Sequence, residues 1–142
     1  MEQSLLLQAI VLPFLAVLTY YDLKYKKIPV VLLLIMGIVG IVYTIIIEDY
    51  DNFLRYMGIF MGLIFLSLSF VSHEAIGKGD ALVFVILGWF LGIYETIFLL
   101  FVAFSLSAAV SVVLLVCRKG NFMTSFPFLP FLYLAFGGVC LL

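Results

Sequence analysis

Charge is scarce in this sequence. Of 142 residues only seven are Lys or Arg and eight are Asp or Glu, 11% in all, against 67% hydrophobic residues. A water-soluble domain of this length needs far more polar surface to cover its core, and the mean hydropathy of +1.37 agrees. The net charge of −1 provides no basic field that would hold nucleic acid. Histidine occurs once, at His73, and cysteine twice, at Cys117 and Cys140, with no CxxC pair and no His at ligand spacing. A structural zinc site is therefore not expected, and both cysteines read as small apolar filler. The N-terminus, Met1-Glu2-Gln3, lacks the basic start of a cleavable signal, and no small-residue cleavage site follows. The first apolar run thus reads as a permanent span.

The sequence is rich in long apolar runs. Six are visible, roughly Leu5–Tyr21, Pro29–Ile47, Phe53–Val71, Ala81–Tyr94, Thr96–Cys117 and Ser125–Leu142. Most reach the ~17–25 residues that a helix needs to cross a ~30 Å hydrocarbon core; the fourth is short. A transmembrane barrel would alternate polar and apolar residues, and these runs do not, so helices are expected. The reading is one all-α integral membrane domain over residues 1–142, with about six transmembrane helices.

Charge placement then predicts orientation. Lys24, Lys26 and Lys27 lie between runs one and two, Lys78 between three and four, and Arg118 and Lys119 between five and six. That side is cytoplasmic by the excess of positive charge, which makes both termini extracytoplasmic. Arg55 falls opposite, with Glu48, Asp49, Asp51 and Glu95; the three acids of residues 48–51 read as a solvated outer loop. Gly58-x-x-x-Gly62, Gly88-x-x-x-Gly92 and Ser107-x-x-x-Ser111 put small residues on single helix faces, the pattern that lets helices approach closely in lipid. Trp89 and the many Phe residues read as lipid-facing or packing groups.

The residues that suggest chemistry are acids at the ends of runs. Asp22 closes the first run and Asp80 opens the fourth, both on the cytoplasmic side. Ionisable groups kept at a membrane span are usually functional or paired. Two carboxyls brought close cannot both ionise easily, so the pair holds one proton near neutral pH. The ionised member can take a proton from water while the other donates to a scissile carbonyl oxygen, as in aspartic proteases. This chemistry needs no cofactor and no metal. Gly77-Lys78-Gly79 directly precedes Asp80, and glycine permits close backbone approaches that would bring a substrate strand beside the acid. The plainer alternative is that Asp22 is a surface acid paired with Lys26 at i+4 and Asp80 a helix cap.

Three blocks resemble the type IV prepilin peptidase family of membrane aspartic proteases. They are Asp22-Leu23-Lys24-Tyr25-Lys26-Lys27-Ile28-Pro29, Gly77-Lys78-Gly79-Asp80-Ala81-Leu82 and Pro127-Phe128-Leu129-Pro130-Phe131-Leu132, in the family's order. Presenilin-like and signal-peptide peptidases also combine Tyr-Asp with GxGD, but they are longer, and the first block favours the prepilin family. The resemblance implies catalytic aspartates at Asp22 and Asp80 acting at the cytoplasmic face of a prokaryotic inner membrane. It implies a prepilin-like substrate: a short basic leader cut from the hydrophobic helix that follows. Val30 stands where many members have Asn after the proline, and the paired CxxC motifs of the methylating members are lacking, so a peptidase alone is expected. Pro29, Pro127 and Pro130 are candidates for the substrate path. The last two either bend the final span or mark where it starts. His73 and Glu74 either tune Asp80 or belong to a solvated loop. A transporter or proton relay is the competing reading, weakened because both acids lie at one face and the middles of the runs carry no charge. A non-catalytic partner of a secretion machine is the third.

Overall fold

A computed structural model describes residues 2–47, 52–72, 77–117 and 127–141 of the chain. Glu48, Asp49, Asp51, His73, Glu74, Arg118 and Lys119, to which the sequence reading assigned roles, lie outside the described residues. The all-α expectation holds. Among the described residues five helices follow in order: α1 (Glu2–Tyr25), α2 (Val30–Ile46), α3 (Asn52–Val71), α4 (Lys78–Val116) and α5 (Leu129–Leu141). Among the described residues three are long and apolar enough to cross a membrane: Leu5–Tyr25 within α1, and all of α3 and α4. α2 and α5 are shorter apolar helices.

The fourth and fifth apolar runs are joined in α4, and Gly92 inside it has φ 77 and ψ 178. The chain reverses there. Phe84 and Phe104 have ring centroids 6.4 Å apart, whereas a straight helix would separate them by about 30 Å. Thr96 Oγ1 also donates back to the Leu87 carbonyl at 3.5 Å. Positive φ of this kind is glycine territory, so Gly92 serves as a turn. This corrects its assignment to a small packing face, and it moves the break ahead of Glu95, into the expected fourth run. The two arms of α4, 78–91 and 93–116, form a hairpin against which α2, α3 and α5 pack, while α1 packs on α5.

Gly58 and Gly62 do form a small packing face. With Arg55 and Ser69 they make the buried stripe of α3, which meets Gly88 and Val85 of α4. Among the described residues this is the most extensive helix pair. α2 buries Leu33, Met36, Gly40 and Tyr43, one stripe at helical spacing. Trp89, expected only to pack, also ties α2 to α4: its indole N–H donates to Thr44 Oγ1 at 2.9 Å, and Thr44 donates in turn to the Gly40 carbonyl. Trp89→Phe and Thr44→Val are each expected to cost about 1 kcal/mol. The double variant should cost little more than either single one, which a double-mutant cycle of unfolding in detergent measures.

Candidate active site

α1 ends three residues after Asp22. Lys26 adopts φ 49, and its N–H bonds the Asp22 carbonyl at 3.0 Å. A lysine in the left-handed region costs energy that Gly or Asn would avoid, but it turns the chain sharply. The chain then reaches Pro29, whose φ of −69 places it as the N-cap of α2. The turn carries Ile28 across to Gly79. A Cβ at Gly79 would lie 2.7 Å from Ile28 Cδ1 and 3.1 Å from Ile28 Cβ, so glycine at 79 lets the first turn of α4 close on the α1–α2 connection. A Cβ at Gly77 would sit 3.1 Å from Asp80 Oδ2. Gly77 is the N-cap of α4 without a side-chain hydrogen bond, and Asp80 lies in the first helical turn. Asp80 is therefore not the cap residue that the plainer reading supposed.

Asp22 is buried, only 8% exposed, which removes the surface-acid reading. The backbone N–H of Leu129 donates to its carboxyl, and Oδ2 has no hydrogen-bond partner among the described residues. Leu129 is the first residue of α5, so its N–H is one that no helical carbonyl can satisfy. Three residues earlier on α1, Thr19 Oγ1 reaches the Leu129 carbonyl at 3.4 Å. Pro130 follows directly, in the first turn, where a missing N–H breaks no hydrogen bond. The Pro127–Leu132 block thus presents a helix N-terminus, with its partial positive charge, to Asp22. Pro130 marks the start of α5 and does not bend it.

Asp22 and Asp80 line one cavity of about 750 Å³, close enough for the charge of Asp22 to act on Asp80. Gly77, Lys78, Gly79 and Pro127 also line it; Pro29 and Pro130, expected on the substrate path, are not among its lining residues. Lys26, Lys27 and Lys78 supply positive charge to the lining. Part of the lining is an aromatic wall: Phe128 lies 4.9 Å from Phe104 and 5.6 Å from Phe84 between ring centroids. Ser107 completes it. Ser111 Oγ donates to the Ser107 carbonyl within the same helix at 2.8 Å.

Two carboxyls in one cavity, next to glycine backbone and an apolar wall, can activate water against a carbonyl group. Residues 9–114 match the type IV leader peptidase family. The chain belongs to the type IV leader peptidase family. The match takes in both aspartates and the Gly77–Asp80 block, and stops short of the Pro127–Leu132 block. No curated protein and no solved structure matches the chain.

Sequence reasoning about this leader peptidase family member missed several lining residues. Phe84 and Phe104 read as ordinary span residues, Ser107 only as part of a packing face and Ile28 only as part of the first block, and only the reversal at Gly92 brings Phe104 and Ser107 back beside Asp80. The Leu129 donor had a legible signal: proline at the second position of a helix announces unsatisfied N–H groups just before it.

Proposed function

We propose that the protein is an aspartic endopeptidase of a prokaryotic cytoplasmic membrane, cutting the short basic leader from prepilin-like substrates of type IV pilin, Tad or archaellin type. The observation that carries this reading is that Asp22 and Asp80 line one cavity. One carboxyl, ionised, takes a proton from water as the water oxygen adds to the scissile carbonyl carbon. The other, protonated, donates to the carbonyl oxygen. Collapse of the tetrahedral adduct returns a proton to the departing amine. Family membership supports the reaction and the substrate class.

The chain crosses the membrane six times in this reading, with the two arms of α4 as the fourth and fifth spans and both termini outside. Lys26, Lys27 and Lys78 at the aspartate end of the bundle then face the cytoplasm, as the excess of positive charge requires. The substrate's hydrophobic helix lies in the bilayer, and its leader meets the cavity as extended chain at the membrane surface. The test is co-expression with a candidate prepilin, following the substrate's size shift. Unprocessed substrate with wild-type enzyme, across a panel of pilin-like and archaellin-like leaders, would overturn the proposal.

The closure of Gly79 on Ile28 gives a second test. Gly79→Ala is expected to slow cleavage about 10- to 100-fold, because a displacement near 1 Å at a catalytic group costs that much. Ile28→Ala, which clears the space, should restore much of the rate when combined with it. The measurement is the initial rate of leader removal in detergent or nanodiscs.

A further inference from the structure

Asp22 and Asp80 line one cavity, and two carboxyls within reach of each other hold one proton between them. Which of them keeps it decides which is the base and which the acid. Each stands at a helix N-terminus: Asp80 in the first turn of α4, Asp22 against the start of α5. The two dipoles favour charge at both and do not choose between them. A hydrogen bond does. The Leu129 N–H donates to Asp22, whereas among the described residues no donor is bonded to Asp80. A donor held against a carboxyl favours its charged form. Leu129 is fully buried and is the first residue of α5, so neither water nor a helical carbonyl can take this N–H, and it stays with Asp22. Asp22 Oδ2 accepts no hydrogen bond from the described residues, which leaves one oxygen to receive a proton.

We propose that Asp22 is the base and Asp80 the acid, and that the backbone N–H of Leu129 is the positioning group that fixes these roles; the inference rests on the peptidase reading and deepens it. Asp22 takes a proton from water as the water oxygen bonds to the carbonyl carbon, and Asp80 gives its proton to the carbonyl oxygen. On collapse the C–N bond breaks, Asp22 passes its proton to the amine nitrogen, and Asp80 recovers one from a hydroxyl of the adduct. The pair ends as it began. Leu129 lies past residues 9–114, which match the family, so the unit that carries the chemistry extends into α5.

The test deletes one N–H. Leu129→Pro removes it at a first helical position, where proline fits; Leu129→Ala loses the side chain, keeps the N–H and is the reference. A third protein carries the α-hydroxy acid of leucine at 129, with an ester oxygen in place of the N–H and the side chain intact. The measurement is kcat/KM for leader removal against pH, which reports the free enzyme. The donor supports the charge of Asp22 whether or not Asp80 is also ionised, so its loss moves only the first ionisation of the pair. The acid limb is expected to rise by about one pH unit in Leu129→Pro relative to Leu129→Ala, and in the ester protein relative to wild type, while the alkaline limb stays. The other charged groups of the lining, Lys26 and Lys27 of the α1–α2 connection and Lys78 of α4, are common to all four proteins, and α2 and α5 carry no charged side chain. A shift of the alkaline limb alone would make Asp22 the acid, and unmoved limbs would leave the N–H without a role; either result overturns the proposal. Infrared titration of the carboxyl bands, each protein minus its Asp22→Asn counterpart, follows the same two steps without substrate. A wild type that cuts no leader therefore overturns the peptidase reading, and the titration still decides which carboxyl the donor keeps charged.

Discussion

Asp22→Asn and Asp80→Asn each reduce leader cleavage by at least about a thousandfold, the scale of a lost general acid or base, while the protein still inserts and folds. An amide has nearly the shape of the carboxyl it replaces but neither takes a proton from water nor donates one as an acid. Each variant therefore removes one half of the proposed pair and leaves the cavity in place. The two should be non-additive: once one carboxyl is gone, losing the other costs little more. Stability gives an independent readout. Asp22 is buried, and one of its oxygens has no hydrogen-bond partner among the described residues. Removing its charge should leave thermal stability unchanged or raised, the trade expected where a site is strained for function. A pair holding one proton also predicts a bell-shaped pH profile, with activity lost when both carboxyls are protonated and again when both are ionised. Near-normal processing by either Asn variant would end the two-carboxyl mechanism.

The second large effect is structural. Gly58→Ala and Gly88→Ala are each expected to destabilise the bundle by about 3 kcal/mol, the upper range for overpacking. A Cβ on either glycine would fall on the other's backbone carbonyl, and a Cβ at Gly62 would lie 2.5 Å from Val85 Cα. Those neighbours are backbone, which cannot rotate aside as a side chain can, so α3 and α4 must separate. In lipid, where apolar association gives little drive, close packing is what holds such a pair together. Gly37→Ala and Gly137→Ala are the controls: no atom lies within 4 Å of a Cβ at either position, and the change should stay within about 0.5 kcal/mol. Thermal unfolding of the four variants in one detergent measures the contrast. Equal stability throughout would show that the α3–α4 contact does not bear on the fold as argued.

How readily each feature was legible depended on whether its cause was local. Gly58-x-x-x-Gly62 was readable because helical spacing alone puts both residues on one face. Gly88-x-x-x-Gly92 looked identical and was half wrong: Gly88 packs, but Gly92 turns the chain. Spacing cannot distinguish a small residue needed for room from one needed for positive φ. Pro130 posed the same ambiguity, between a kink and a helix start, and its place in the first turn of α5 resolves it. Trp89 gave no hint of its hydrogen bond, since its acceptor, Thr44, lies 45 residues away.

The amino-acid sequence alone determined that the chain is helical and apolar enough for a bilayer, where its scarce charges fall, and which two acids to watch, because composition, hydropathy and short motifs are properties of neighbouring residues. The shared cavity, the helix end turned toward Asp22 and the aromatic wall folded back by Gly92 were decided by tertiary structure. Each joins groups that are far apart along the chain, and only the packing of one helix against another brings them within reach.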